Sequence, residues 1–282
     1  MKFTGGDYMY RFRNIDEHSY PIESKVQTII DGVNLDEKIN GFMTLAVYGR
    51  ELVGRNVEID EFRKIQTASG IKNYATSYEN RFISSSIASR EFTIKFLLKA
   101  DNDYDYLKKF EILNYYLDKE DVKIKFTDDL NYYYWGTVTK VENPQINNLN
   151  AICSFNIEVS NPFKFKVDAE EVKFEKTLQF KKKTIYPVKI EKINIKLKEA
   201  GQKLIFKNIA DGREIIFDKN FNAGDVVNID FLTWEITGKG NENFYKYLDI
   251  HSRLEEFTIA DGDTIQTNLN ADIVIIFREV RL

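Results

Sequence analysis

The chain has 282 residues, 43% hydrophobic and 30% charged, which supplies enough apolar material for a core and excludes a disordered chain. Its 40 Lys and Arg stand against 44 Asp and Glu, and the resulting net charge of −4 argues against a protein whose main task is to hold nucleic acid. One Cys cannot pair within the chain or build a cysteine-cluster zinc site, and two His leave few of the usual general bases.

The length favours two domains. The opening Met-Lys-Phe-Thr-Gly-Gly-Asp lacks the apolar stretch of a secretory signal. The longest strongly apolar run, Ile273 to Phe277, is far short of the ~20 residues that cross a bilayer. A soluble chain of a reducing compartment, entering no membrane by itself, is the expectation. Sixteen Tyr and 21 Phe with only four Pro favour strands, so the fold class is expected to be mainly β.

In chain order, Gln66 to Asn80 is polar and aperiodic and contains Tyr74 and Tyr78. Such a segment reads as a long loop or hairpin, either a functional arm or a solvated connector. Phe92, Ile94, Phe96 and Leu98 then alternate with Glu91, Thr93 and Lys95, the period of a half-buried strand. One helix follows: Leu107, Phe110, Leu113 and Leu117 form the predicted apolar stripe, with Asp103 as the predicted N-cap and Asp105 in the first turn.

Val122, Ile124 and Phe126 resume the strand period. The run Tyr132-Tyr133-Tyr134-Trp135 is the densest aromatic cluster. In a strand it puts Tyr132 and Tyr134 on one face and Tyr133 and Trp135 on the other. One face is expected to join the core. The other, Tyr133 and Trp135, is a candidate interface or a platform for a sugar. Cys153, Phe155, Ile157 and Val159 alternate again, which makes Cys153 a buried thiol.

Asn161-Pro162-Phe163 ends that strand, and the boundary is placed near 165, giving domains 1–165 and 166–282. From Tyr186 onward the pattern is all β, with a hairpin around Asp211-Gly212 and turns at Gly224-Asp225, Gly238-Lys239-Gly240 and Asp261-Gly262-Asp263. Short strands with regular turns point to a sandwich. Residues 173–207 carry a charge of +8 and residues 211–282 a charge of −7. The two blocks either pair across strands or form opposed patches that orient an assembly.

Asp101, Asp103 and Asp105 imitate the start of a calcium loop, but Tyr106 stands where the turn Gly is needed and Ile112 where the bidentate Glu belongs. Helix capping accounts for these acids. No phosphate loop, dinucleotide fingerprint or nucleophile elbow is present, and no motif asks for a cofactor or metal. His18 and His251 fall in different expected domains. A glycan hydrolase needs only two carboxylates, and no pair is singled out.

The order of these segments resembles the distal tail proteins of long-tailed siphophages of Gram-positive hosts. The resemblance rests on Gly49-Arg50-Glu51-Leu52, on Arg90 to Ile94 before the helix, on Val122 to Asp128, and on Tyr134 to Val138. It continues through Phe155 to Phe163, where Asn161 replaces the usual Asp, then Gly224 to Asp230, Phe257 to Ile265 and the closing strand Ala271 to Arg278. It implies an α+β N-terminal ring-forming domain with one helix and a C-terminal galectin-like β-sandwich, with no enzymatic activity. It further implies a homo-hexameric ring hub at the virion tail tip, assembled in the bacterial cytoplasm.

One side of such a ring would dock on the major tail tube protein, the other on a tail-associated lysin and receptor-binding or baseplate proteins. Arg50 and Arg90, at family positions, and Tyr74 and Tyr78, in the arm, are the candidate inter-subunit or tube contacts. A glycan-binding module for host cell-wall adhesion is the alternative reading, with a hydrolase more remote.

Overall fold

The computed structural model describes residues 26–60, 66–67, 70–71, 81–142, 145–147 and 149–282. Contacts divide the chain into two units, one running to Pro162 and the other starting at Phe163. Both are built mainly from antiparallel strands.

The first unit is built around one main sheet. Its strands run in the order Val33–Asn34, Thr28–Ile30, Val122–Phe126, Tyr132–Val141, Asn150–Val159, Arg90–Lys99, Phe42–Tyr48. The two central strands pair Phe92 with Ile157, Ile94 with Phe155, Phe96 with Cys153 and Leu98 with Ala151. All eight side chains are buried, since alternation puts them on one face.

The helix Asp103–Leu117 covers that face through Leu113 and Leu117, with Tyr106 and Phe110 packed beside them. Leu107 departs from the expected stripe and is 63% exposed. At ~100° per residue, Tyr106, Lys109, Leu113 and Leu117 share one face, and Leu107 lies well to its side. Lys109 is nonetheless buried: its stem lies along the sheet and its ammonium reaches the Lys99 carbonyl at 2.9 Å and Asp105 at 2.7 Å. The N-cap is Asn102 rather than Asp103; its Oδ1 accepts from the Asp105 amide at 2.9 Å.

The sequence pattern did not mark a second, one-turn helix, Leu35–Lys38. It is tied down by Asp36, whose carboxylate accepts from the Thr44 amide at 2.6 Å and the Thr44 hydroxyl at 2.8 Å. Burial raises the Asp36 pKa in spite of these bonds.

Apart from the main sheet, Arg55–Asp60 and Arg81–Ile87 pair as a two-stranded ribbon, with Asn56 opposite Ser86 and Glu58 opposite Ser84. Arg55, Asn56, Val57 and Glu58 are all exposed, so over these four residues neither face packs on a core. Within the expected arm, Gln66–Thr67 pairs with Gly70–Ile71. Tyr74 and Tyr78 lie outside the described residues.

The second unit has two sheets. One runs Glu170–Glu175, Ala271–Arg278, Lys189–Leu197, Val226–Asp230, Glu235–Gly238. The other runs Thr177–Gln179, Thr264–Thr267, Gly201–Asn208, Glu214–Phe221. Ile193, Ile195, Ile229 and Ile275 from the first join Leu204, Phe206, Phe217 and Ile265 from the second in one core, which makes the unit a sandwich. The expected hairpin is present, with Phe206 opposite Ile215 and Gly212 at φ 74° in its turn. Edge strand Glu214–Phe221 is covered: the Asp249 and Arg253 amides donate to the Ile216 and Glu214 carbonyls, and the Ser252 hydroxyl accepts from the Ile216 amide.

The charge blocks pair across strands. Lys192 meets Asp230 at 2.8 Å, Lys198 meets Asp272 at 2.7 Å, Lys203 meets Asp249 at 3.2 Å, and Arg278 meets Glu191. The Lys192–Asp230 and Arg278–Glu191 pairs join neighbouring strands, Glu191 being buried, whereas Lys198 follows its strand and Asp249 lies in the connection that covers strand Glu214–Phe221.

Candidate functional site

Of the four residues that the sequence placed at possible inter-subunit or tube contacts, Arg50 and Arg90 meet at the root of the ribbon, and Tyr74 and Tyr78 lie outside the described residues. Gly49 closes strand Phe42–Tyr48 at φ 88°, and a Cβ built there would lie 2.2 Å from the Glu91 carbonyl oxygen. Only Gly lets the two chain segments approach that closely. The turn aims Arg50 inward. Its guanidinium donates through Nη2 to both oxygens of Asp128, at 3.0 and 3.1 Å, and lies over the Phe126 ring with Cζ 4.3 Å from the centroid.

Arg90, the first residue of its strand, is 3% exposed. It donates to the Arg50 carbonyl at 3.1 Å and to the Tyr134 hydroxyl at 3.3 Å. Tyr134 in turn packs edge-on against Phe92, the ring centroids 4.8 Å apart, and burial raises its phenol pKa. Nε and Nη1 of Arg50 and Nε of Arg90 are buried without a hydrogen-bond partner. Among the described residues the Asp128 carboxylate pairs with the Arg50 guanidinium, and Arg cannot shed its charge. Asp128 is the partner that pairing arguments miss, because it lies 78 residues from Arg50 in sequence and reads locally as a turn acid.

The aromatic run is more enclosed than alternation predicts. Tyr132, Tyr133 and Tyr134 are all buried, and Trp135 is partly exposed. Tyr133 and Trp135 do share a face, in edge contact at 5.7 Å, but the Lys123 ammonium lies over both rings, 5.0 and 5.4 Å from their centroids. Their π faces are engaged within the sheet.

Cys153 is 4% exposed. Burial, with the charge of Glu142 adding to it, pushes its pKa up to about 11, so the thiolate is scarce at neutral pH. A thiol reagent at pH 7 should leave the folded chain unmodified over a period that labels the urea-unfolded chain fully. Rapid labelling of the folded chain would contradict the burial.

Two shallow depressions are open to solvent. One, about 500 Å³, lies between the helix and strand Tyr132–Val141 and is lined by Tyr115, Leu117, Asp118, Val138 and Val141. The other, about 480 Å³, is on the polar outer face of the five-stranded sheet, around Lys192, Asn194, Asn228, Asp230 and Thr237. Asp230 is half of the Lys192 ion pair. Burial pushes its carboxyl up, and the Lys192 ammonium with the Leu232 and Thr233 amides outweighs this, leaving it below the usual range.

Among the described residues, no group of three or more His, Cys, Asp and Glu side chains gathers in a metal-binding arrangement. His251 sits in a turn, its amide donating to Asp249, and His18 lies outside the described residues.

Residues 54–161 match the family model of the phage tail protein RIFT-related domain, and residues 183–280 match that of the siphovirus-type tail component, C-terminal domain. Among solved structures, the fold is similar to the SPP1 Dit protein, described as a paradigm of the hub adsorption apparatus in Gram-positive infecting phages. That match has a TM-score of 0.70 and 15% identity over 92% of this chain and 100% of the other. A more distant likeness, TM-score 0.46 with 11% identity, is to a chain of the phage P2 baseplate in its activated conformation with calcium, over 90% of this chain and 98% of that one. No curated protein sequence matches the chain significantly.

Proposed function

Because the chain belongs to the siphophage tail components, as a distal tail or hub protein of the virion, we propose that it closes into a six-membered ring at the tail tip. One face of the ring docks on the major tail tube protein, and the other carries the tail-associated lysin and receptor-binding or baseplate proteins. The N-terminal unit forms the ring and the sandwich unit points its outer surfaces to the partners. Assembly takes place in the bacterial cytoplasm before the particle is released. The role is mechanical, and its free energy lies in heterologous subunit contacts that close a cycle.

The observation that carries this reading is the succession of the two tail-component domains along one chain. A second feature supports the ring itself: in the ribbon Arg55–Asp60/Arg81–Ile87, residues Arg55 to Glu58 are exposed on both faces. A two-stranded ribbon is marginal alone in water and gains by pairing its edges with another chain. We take the ribbon, together with the 66–80 segment, as the arm to a neighbouring subunit or to the tube. Deleting residues 66–80 should abolish ring formation or tube docking while the remaining chain stays folded; an unchanged assembly would remove the arm from the account.

The glycan-binding alternative is weakened by the cover of Lys123 over Tyr133 and Trp135. Antibody against the chain should label the distal end of the tail in electron micrographs of particles from the source strain. Label spread along the tube, or absent from tails, would contradict the tail-tip placement.

A further inference from the structure

The ribbon begins five residues after Arg50 and ends three residues before Arg90, so the two arginines stand on the two chains entering its root. Nothing beneath the Arg55–Glu58 stretch holds it, since those residues are exposed on both faces. Among the described residues, the bonds that tie the ribbon to the body of the unit lie at the root. There the Ala88 amide donates to the Gly54 carbonyl at 3.1 Å and bridges the two chains. Below it, Arg90 donates to the Arg50 carbonyl at 3.1 Å, and Arg50 is held by both oxygens of Asp128 and by the Phe126 ring.

We propose that Arg50, Arg90 and Asp128 form a clamp that fixes the direction of the ribbon relative to the sheet. This rests on reading the ribbon as an assembly arm, and it assigns the three residues a positioning role that sheet stability alone does not require.

The chemistry suits the task. A guanidinium whose Nη2 bonds both oxygens of one carboxylate while its Cζ lies over the Phe126 ring is held at two places, whereas an ammonium swivels. Arg90 then fixes the backbone of Arg50 rather than its side chain, so the exit direction of the first ribbon strand is set by a bond to the residue that begins the chain leaving the second. Asp128, in the turn after strand Val122–Phe126, and Tyr134, on the next strand, reference both arginines to rigid sheet. Gly49 makes the close approach possible. A ring needs each arm to leave its subunit in the same direction, because closure is a matter of angle.

The test uses the full chain with Cys153→Ala and spin labels at exposed positions Ser84, on the ribbon, and Leu107, on the helix. Pulsed electron resonance then reads the spread of label distances in subunits kept dilute enough not to assemble. The parent should give one narrow distribution, and Arg90→Lys and Asp128→Asn should each broaden it about twofold or more. Leu98→Ala serves as the control, since Leu98 is buried at the far end of the Arg90–Lys99 strand and its truncation destabilises the same core without touching the root.

A broad distribution in the parent overturns the clamp, as does a narrow one in both root variants or equal broadening in Leu98→Ala. If the root variants broaden the distribution and still form rings, the clamp stands and the arm reading falls.

Discussion

Gly238→Ala is expected to destabilise the second unit by about 3 kcal/mol, the cost of overpacking a filled core. Gly238 ends strand Glu235–Gly238, and a Cβ there would lie 1.8 Å from Cε2 and 2.5 Å from Cζ of Phe244. The ring cannot swing away. Phe244 is 1% exposed and is boxed in by Phe217, Phe221 and Tyr247, with the Lys219 ammonium 4.4 Å from its centroid. Thermal unfolding should show the loss as a fall in Tm of roughly 10 °C for the second unit. In a Phe244→Leu background the same substitution should cost about 1–2 kcal/mol less, because the clashing ring atoms are gone. Equal costs in both backgrounds would show that the clash is not the cause.

Asp128→Ala should cost the first unit about 3–5 kcal/mol, since removing one partner of a buried pair leaves the other charge uncompensated. The side chains of Arg50 and Asp128 are 8% and 11% exposed, so loss of the carboxylate leaves the Arg50 charge in a largely buried site beside Arg90. The loss shrinks when both charges go. Arg50→Met with Asp128→Asn stays close to the parent volume, removes both charges, and should recover most of that loss. Denaturant unfolding of the single and double variants measures the difference. A single variant within 1 kcal/mol of the parent would mean that the pair is effectively solvated.

Alternation made the strands legible: Phe92 to Leu98 and Cys153 to Val159 need only a period of two to be placed on one buried face. The helix was legible in existence and less so in rotation. Leu107 follows a plausible three-residue spacing but is exposed, because Tyr106 and the stem of Lys109 hold the buried face, and neither looks apolar on a hydropathy scale. Asp103 yielded the cap to Asn102 for a similar local reason, both being good capping residues one position apart.

Glycines carried a further ambiguity. Gly240, at φ 73°, is the turn residue that its pattern implies, whereas Gly238 is required by the ring lying on it, a packing demand from six residues along the chain. The root of the ribbon was the least legible part. Arg50 and Arg90 stood out as motif residues, but their link through a backbone carbonyl, and the choice of Asp128 among 44 acids, depend on which strands the sheet sets side by side.

The paired charge blocks bear on the assembly. Because Lys192, Lys198 and Lys203 find their acids within the sandwich, the opposed charges are used internally. If the proposed ring forms through the ribbon, raising the salt concentration should weaken it little, since exposed ion pairs are worth about 0–1 kcal/mol each.

The mass of the purified chain by light scattering, with negative-stain images of the same sample, tests the ring most directly. The account predicts a mass of about six chains of 33.1 kDa and annular particles with a central opening. A single-chain mass at every concentration, with no annular particles, would contradict it.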